Sequence, residues 1–286
     1  MLTLILPCPA KLNLFLHITG RRPDGYHNLQ TVFQLLSYGD TLELTPRDDG
    51  IISLTPELPG VPLEANLIYR AARLLQEASG CSLGADFLLH KRLPMGGGIG
   101  GGSSDAASAL VGLNHVWRTG LSLEQLADLG QRLGADIPVF VCGQSAWAEG
   151  TGEQLTPISL PEVWYLVITP QCEVPTGRIF SHNKLTRNSS AITMRAFLEE
   201  GGRNDCQPLV EDLFPEVKYA VDWLNSFGST SLYPAKLTGT GASVFTAFAA
   251  EDEACAVLAM RPHKLKGFVA KGVNESPLHS YLRKSQ

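Results

Sequence analysis

Several short apolar runs along the chain are bounded by Gly, Pro and Asp turn signals such as RPDG and RDDG. Runs of this length between such signals are typical of β-strands. They predict strands at residues 12–18, 41–44, 51–54, 85–90 and 164–168. In the first, PAKLNLFLH, a period of two puts the leucines on a core face and the polar side chains of Lys11 and Asn13 together on the other.

Two other segments repeat their apolar residues at helical spacing. Residues 66–78 carry one apolar stripe, formed by Leu67, Ala71, Leu74 and Leu75. Residues 122–133 open with Ser122 three positions before Gln125, a capping box, and stop at Gly134. Strands and helices together predict an α+β fold, and the proline-flanked turn at Leu160 and Pro161 predicts a boundary between domains 1–160 and 161–286.

Composition narrows the class of protein. The chain has 286 residues, 44% hydrophobic and 18% charged, as soluble globular proteins do. Its net charge of −5 and its lack of a Lys/Arg cluster argue against nucleic acid or membrane partners. The six cysteines are dispersed, and no apolar run approaches the ~20 residues of a membrane span. We therefore expect buried, reduced thiols and a cytoplasmic location.

The most unusual stretch is GGGIGGGSSDAA, which starts at Gly96 and leads into a predicted helix near Ser103. A flexible linker does not fit, because the stretch lies between a strand and a helix rather than between domains. The pattern G-x-G-x-x-G is met, but so many glycines satisfy almost any glycine motif, and the lysine of a Walker P-loop is missing. Successive glycines before a helix can instead form a backbone anion nest. Ser103 and Ser104 can then cap the helix or contact phosphate, and Asp105 suits the helix dipole.

Three motifs in order resemble the GHMP small-molecule kinases, named for galactose, homoserine, mevalonate and phosphomevalonate kinases. They are PAKLNLFLHITGRRPDGYHNLQT, LPMGGGIGGGSSDAA and LTGTGASVF. The segments RPDGYH, LGADIPVF and VAKGVNESPLH resemble the branch that acts on 4-diphosphocytidyl-2-C-methyl-D-erythritol in the non-mevalonate isoprenoid pathway. Another GHMP kinase, acting on mevalonate, homoserine or a sugar, and a non-catalytic nucleotide-binding relative remain the alternatives.

The resemblance implies a two-domain GHMP kinase fold with the active site between the domains. The N-terminal half would be like domain 2 of ribosomal protein S5 and would bind ATP, and the C-terminal half would be ferredoxin-like and would bind substrate. The ATP-binding positions implied by the match are Asn66, Lys91, Pro94, Met95, Gly96, Gly97, Gly98, Ile99, Gly100, Gly101, Gly102, Ser103 and Ser104.

The same resemblance implies the remaining roles. Lys11 and Asp136 match the catalytic pair, in which an aspartate orients and deprotonates the substrate hydroxyl while the lysine offsets phosphoryl charge. Asn13, Tyr26, His27 and Phe180 match substrate-binding positions, with aromatic rings for a cytosine. ATP chemistry implies Mg²⁺, although no residue matches the glutamate that some relatives place near that ion, so its protein ligands are unknown. Many relatives have asparagine at the position of Asp105. A small-molecule substrate is the expected partner, and no protein partner is implied.

Overall fold

The centre of the fold is a hairpin of two long antiparallel strands, β1 (Leu4–Arg21) and β2 (His27–Arg47). We describe them from a computed structural model that covers residues 3–284. The RPDG turn joins the strands, with Gly25 at a φ of 90° and the Arg22 amide donating to the Tyr26 carbonyl. Strand β1 is buried over most of its length, because its successive parts contribute apolar residues to three cores: first Leu4, Leu6 and Cys8, then Leu12, Leu14 and Phe15, then Leu16 and Ile18.

The first lobe is built around β2. Strand β3 (Ile52–Thr55) runs parallel to β4 (Gly84–His90), which pairs with β2, and β5 (Ala146–Glu149) joins β2 to β6 (Gln154–Pro157). The central helix of this lobe is α2 (Gly101–Trp117), which lies against β1 and β2. Around it pack α1 (Leu67–Ser79), α3 (Leu123–Gln131) and α4 (Ile137–Cys142). A short 3₁₀ turn, Leu63–Ala65, precedes α1.

The second lobe is an antiparallel sheet with helices packed against it. Its strands are β7 (Trp164–Pro170), β8 (Lys236–Leu237), β9 (Val244–Phe248) and β10 (Leu265–Val273), in the spatial order β10, β7, β9, β8. Its helices are α5 (Thr176–Ser181), α6 (Met194–Glu200), α7 (Gln207–Leu213), α8 (Pro215–Asn225) and α9 (Glu251–Ala259). The two lobes agree with the two-domain arrangement expected from the sequence.

The end of the chain returns to the first lobe. The last residues of β10 pair with Leu35 and Leu36 of β2, and helix α10 (Pro277–Lys284) packs on β1. Leu278 and Leu282 of α10 belong to the apolar core of the first lobe. The predicted boundary at residue 160 therefore separates the strands of the two lobes. Helix α10, from the C-terminal side of that boundary, packs in the first lobe.

Four of the five predicted strands lie inside strands of the structure, and the fifth, predicted at 51–54, is Ile52–Thr55. The helices predicted at 66–78 and 122–133 are Leu67–Ser79 and Leu123–Gln131, so their boundaries differ by one or two residues. The capping box of Ser122 and Gln125 is present. The predicted start of α2 near Ser103 is wrong by two residues. The helix begins at Gly101 after Gly100, which has a φ of 75° and no side-chain cap. A Cβ at Gly100 would lie 2.7 Å from the Phe140 ring, so the backbone approaches that ring too closely for a serine cap. Ser103 and Ser104 therefore lie within the first helical turn.

Two further expectations concern the whole chain. Each of the six cysteines is unpaired. The expectation that they are buried is confirmed for Cys8 and Cys206 and is wrong for Cys255, which is exposed, while the other three are half-buried. Within residues 3–284 no helix combines the length and apolarity that crossing a bilayer requires.

Candidate active site

Two cavities meet at Gly98 and Ser103. The larger, here called the cleft cavity, has a volume of 490 Å³ and lies between the lobes, lined by residues of β1, β2, α5 and the 239–240 turn. The smaller, here called the loop cavity, has a volume of 340 Å³ and lies along the glycine stretch and the start of α1. A molecule in one can therefore touch a molecule in the other at the start of α2.

The Lys11 ammonium lies at this junction. Strand β1 holds it in place, because the Lys11 amide donates to the Ile99 carbonyl at 3.0 Å and so pairs the strand with the glycine stretch. Its Nζ donates to Asn13 Oδ1 at 2.7 Å and to the Gly98 carbonyl at 3.2 Å. The side chain is 3% exposed and also forms an ion pair with Asp136. A cation is thus fixed between the two cavities.

Asp136 provides the opposite charge. It precedes α4 at the N-cap position, yet its side chain makes no capping hydrogen bond. Its Oδ2 lies 3.1 Å from Lys11 Nζ, and the side chain remains 35% exposed and lines the cleft cavity. The carboxylate is therefore oriented by Lys11 and open to a ligand, which is the arrangement required of a group that receives a proton from a hydroxyl.

A polar network fixes Asn13 beside Lys11. The Asn13 amide group donates to the Thr31 hydroxyl at 2.9 Å, and its backbone N–H donates to the Thr238 hydroxyl at 3.0 Å. Thr238 also donates to the Gly98 carbonyl at 3.3 Å. The contacts connect both lobes to the glycine stretch. Period-two alternation along β2 would have suggested Thr31 and Phe33 as cleft residues. Thr238 lies in the LTGTGASVF motif, which could have pointed to it.

The glycine stretch adopts a backbone that favours glycine. Gly96, Gly98 and Gly100 have φ values of 68°, 72° and 75°, in the left-handed region that other residues rarely adopt. The Ser243 amide donates to the Gly97 carbonyl at 3.1 Å, so the LTGTGASVF motif packs directly against the stretch. These observations fit a preformed backbone cradle that ends at the positive end of α2.

Most residues expected at the nucleotide line the loop cavity: Asn66, Lys91, Pro94, Met95, Gly96, Gly97, Gly98, Gly100, Gly101, Gly102 and Ser103. Ile99 and Ser104 do not. The Ile99 side chain is buried in the core, and the Ser104 hydroxyl is buried with no hydrogen-bond partner among residues 3–284. Asn66 also caps α1 through a 2.9 Å hydrogen bond from the Ile68 amide.

Lys91 lies beside the glycine stretch and forms ion pairs with two aspartates. Its Nζ lies 2.5 Å from Asp40 Oδ2 and 3.0 Å from Asp105 Oδ2. The other oxygen of Asp40 accepts from the amides of Arg92 and Leu93, so one buried carboxylate braces the entry to the stretch. Asp40 was not identified from the sequence, because an isolated aspartate near a strand end carries no pattern that marks it.

Asp105 belongs to a group of two aspartates, Asp40 and Asp105, that share one lysine, Lys91. Burial raises its pKa to about 7, with Asp40 adding to the effect and Lys91 opposing it. An acid whose pKa is higher in the folded state binds more protons when folded. Its contribution to stability is therefore most favourable below the unfolded pKa, and declines as the pH rises from about 4 to about 7.

Replacing Asp105 by asparagine tests this electrostatic cost. Asp105→Asn is expected to be more stable than the wild type at pH 8 by ~1–4 kcal/mol, with the difference vanishing as the pH is lowered to about 4. Urea unfolding of both proteins at the two pH values gives the comparison. Asp86→Asn serves as the control, because hydrogen bonds from Ser53 and Arg47 lower the pKa of Asp86 and its loss should not stabilise the protein at pH 8. A destabilised Asp105→Asn at pH 8 would contradict the assignment.

The substrate positions expected from the sequence, Asn13, Tyr26, His27 and Phe180, all line the cleft cavity with Lys11 and Asp136. Phe180 stacks on His27 with ring centroids 5.2 Å apart and planes inclined by 30°. Tyr26, at the hairpin tip, is 66% exposed. Because His27 and Phe180 already touch, a base would stack against this pair rather than between its two rings. The Tyr26 ring remains available to cover the other face of that base.

Residues 3–284 contain no group of three or more His, Cys, Asp or Glu side chains suited to a metal ion. The charged groups at the junction of the two cavities are the pair formed by Lys11 and Asp136. The site geometry thus combines a phosphate-type cradle, a fixed cation, an open carboxylate and an aromatic surface.

Family models and curated proteins similar to this chain identify its family. The model of the GHMP kinases N terminal domain matches residues 66–144, and that of the GHMP kinases C terminal domain matches residues 183–264. The chain is 54% identical over 282 residues to 4-diphosphocytidyl-2-C-methyl-D-erythritol kinase of Nitrosococcus oceani, covering 99% of each chain. It is 57% identical over 279 residues to the enzyme of that name from Pseudomonas paraeruginosa, covering 98% of this chain and 97% of that protein.

Solved structures agree at the level of the fold. A crystal structure of 4-(cytidine 5'-diphospho)-2C-methyl-D-erythritol kinase superposes with a TM-score of 0.83 at 32% identity, covering 94% of this chain and all of that one. A mevalonate kinase superposes with a TM-score of 0.69 at 16% identity, covering 95% of this chain and 100% of that one. At that identity the second likeness concerns the fold alone.

Proposed function

The chain belongs to the GHMP kinases, in the branch of the 4-diphosphocytidyl-2-C-methyl-D-erythritol kinases, and on this premise we propose how its cleft performs the reaction. The enzyme transfers the γ-phosphoryl group of ATP to the 2-hydroxyl of 4-diphosphocytidyl-2-C-methyl-D-erythritol, in the non-mevalonate pathway to isoprenoid precursors. The observation that carries the mechanism is the 3.1 Å pair of Lys11 and Asp136 where the two cavities meet.

In this mechanism the acceptor hydroxyl lies beside Asp136. The carboxylate orients the hydroxyl and accepts its proton as the oxygen bonds to the γ-phosphorus and the bond from that phosphorus to the bridging oxygen of ADP breaks, which releases ADP. Lys11 then has two tasks, because its ammonium both orients Asp136 and offsets the charge on the phosphoryl oxygens. Since phosphoryl transfer proceeds through a loose transition state, positioning contributes at least as much as proton removal.

ATP occupies the loop cavity in this proposal. Backbone N–H groups of the glycine stretch and the N-terminus of α2 bind its phosphates without a P-loop lysine. Asn66 and Lys91 lie along the same cavity, toward the nucleoside. Because Lys91 Nζ is engaged by Asp40 and Asp105, its main role is to brace the stretch.

The cytidine moiety occupies the far end of the cleft cavity. The stacked pair of His27 and Phe180 provides one aromatic surface, and the exposed Tyr26 ring can cover the base from the other side. Asn13 accepts a hydrogen bond from Lys11 and lines the same cavity, where it can hydrogen-bond the methylerythritol portion. An acceptor without a base would leave the aromatic residues unused.

Magnesium is the ion proposed to accompany ATP. Mg²⁺ favours phosphate oxygens, retains several waters and takes few protein oxygens. The Ser103 hydroxyl fits that need, because Ser103 lines both cavities at their junction, whereas the Ser104 hydroxyl is enclosed. When bound, the ion neutralises charge on the transferred phosphoryl group.

We further propose a cytoplasmic location with the small-molecule acceptor as partner. Six unpaired cysteines support a reducing compartment, because disulfides form and persist in oxidising ones. No nucleic acid, membrane or protein partner is proposed.

An acceptor panel tests the proposed function. Purified protein with Mg-ATP is expected to release ADP with 4-diphosphocytidyl-2-C-methyl-D-erythritol and not with mevalonate, homoserine or galactose. A reaction without acceptor measures background ATP hydrolysis. Turnover on another acceptor would keep the kinase but reject the base-binding roles, and no turnover on any acceptor would indicate a nucleotide-binding relative.

A further inference from the structure

Arg187 contacts two cleft residues without lining the cleft cavity itself. Its Nη2 donates to the carbonyl oxygens of Phe180 at 2.8 Å and His182 at 2.7 Å, and its Nη1 donates to that of Leu185 at 3.1 Å. Its Nε donates to Nε2 of His27 at 3.1 Å. One guanidinium therefore ties the segment that carries Phe180 to the start of β2, where His27 lies.

The contact with His27 determines where the imidazole carries its proton. A guanidinium only donates hydrogen bonds and keeps its protons at any ordinary pH, so His27 Nε2 must be the acceptor. A neutral imidazole whose Nε2 accepts carries its proton on Nδ1. Nδ1 makes no hydrogen bond within the described part of the chain, and His27 lines the cleft cavity. The Nδ1–H donor is therefore available to a ligand.

We propose that Arg187 is a positioning residue for the acceptor's base, because it holds His27 as the neutral Nδ1–H tautomer and so fixes a hydrogen-bond donor beside the aromatic pair. The proposal rests on the proposed function for the identity of the ligand, a cytosine. Cytosine presents O2 and unprotonated N3 as acceptors, which an Nδ1–H group can meet. Stacking on Phe180 holds the plane of the His27 ring at the same time.

The charges around His27 support a neutral ring. Burial, reinforced by the positive charges of Arg187 and Arg21, lowers the pKa of His27. Arg21 faces His27 across the hairpin, where the two residues are paired in the β1–β2 register. Protonation would place a second N–H against the Arg187 Nε–H group, so this contact opposes the charged form. Without Arg187 the pKa of His27 should move back toward its ordinary value of about 6.5.

A purely structural role for Arg187 has to be separated from this one. Its three carbonyl contacts alone could hold the 180–185 segment, and losing them would weaken substrate binding whatever the state of His27. If Arg187 had only that structural role, its replacement would leave the tautomer and the pKa of His27 unchanged. Neither requires the substrate, so their outcome is independent of the function proposed above.

The first experiment is long-range ¹H–¹⁵N NMR on the full-length enzyme labelled with [¹⁵N]histidine, without ligand. The His27→Asn variant identifies the His27 resonances. The proposal expects a protonated Nδ1 and an unprotonated Nε2 at pH 8. A wild-type spectrum with the proton on Nε2 overturns it, and this test does not depend on how any Arg187 variant folds.

The second experiment compares Arg187→Met, Arg187→Lys and the control Arg203→Gln. The Arg203 side chain donates to Asp205 and Ser189 in the same lobe and makes no hydrogen bond to a residue of the cleft cavity. Its backbone carbonyl accepts from the amide of Leu16, a contact that the substitution keeps. In Arg187→Met, His27 should populate both tautomers with a raised pKa, and KM for the cytidylyl acceptor should rise about 10-fold while KM for ATP stays unchanged. Arg187→Lys retains the charge but lacks the planar set of donors, so His27 should keep its low pKa while losing its single tautomer. An unchanged His27 titration and tautomer in Arg187→Met would overturn the proposal, whatever happens to KM.

Discussion

Asp136→Asn is expected to bind ATP normally and to lose about 10²- to 10⁴-fold in turnover, the usual contribution of a positioned acid or base. Asparagine keeps the shape and one acceptor oxygen, so the acceptor hydroxyl can still bind. It cannot take up a proton, and it no longer carries the charge that faces Lys11 Nζ at 3.1 Å. Measuring kcat and both KM values, with nucleotide affinity determined separately, separates chemistry from binding.

The matched control is Asp86→Asn, which removes another aspartate paired with a basic residue, Arg47, outside both cavities. Its turnover should equal that of the wild type. Near-normal turnover of Asp136→Asn would remove this carboxylate from the chemistry. A large rise in KM for the acceptor with unchanged kcat would restrict Asp136 to binding.

Gly98→Ala is expected to raise KM for ATP strongly, because the added methyl group has no room. A Cβ at this position would lie 2.5 Å from the Thr238 carbonyl oxygen and 2.8 Å from that of Gly241. Both contacts are backbone atoms of the turn from the second lobe, so the glycine stretch itself must shift. We expect about a 10- to 100-fold loss in kcat/KM for ATP from this clash, beyond the cost of the left-handed backbone.

Gly96→Ala separates the clash from the backbone strain. Gly96 has nearly the same φ, 68° against 72°, but nothing lies within 4 Å of its added Cβ. Both variants share a penalty of about 1–2 kcal/mol for the left-handed conformation. If the two lower nucleotide affinity equally, the packing of the stretch against the 238–241 turn is not what positions ATP. Circular dichroism and thermal unfolding confirm that each variant is folded.

The sequence was informative wherever a local pattern determines a local structure. The glycines of the 96–102 stretch, the capping box at Ser122 and the alternation around Lys11 and Asn13 each predicted a feature that the structure contains. The family motifs then related positions far apart in the chain, which no periodicity can do. Lys11 and Asp136 were paired only through that resemblance, because their contact spans 125 residues of sequence.

What the sequence could not show depends on long-range packing. Asp40 and Asp105 meet Lys91 from separate elements, and no local spacing brings the three together. Arg187 lies in a segment of turns with no repeat, although it bonds to His27 and three carbonyl groups. The return of α10 to the first lobe was equally hidden, since an amphipathic helix does not reveal which core it will join.

The position of the new phosphate on the product tests the central claim most directly. After reaction of Mg-ATP with ¹³C-labelled 4-diphosphocytidyl-2-C-methyl-D-erythritol, ³¹P–¹³C correlation NMR should show the added phosphorus coupled to C2, with one ADP formed per product. That result requires the 2-hydroxyl to lie between Asp136 and the γ-phosphate at the junction of the two cavities. Phosphate on another hydroxyl, or ADP formed without a phosphorylated acceptor, would contradict the account.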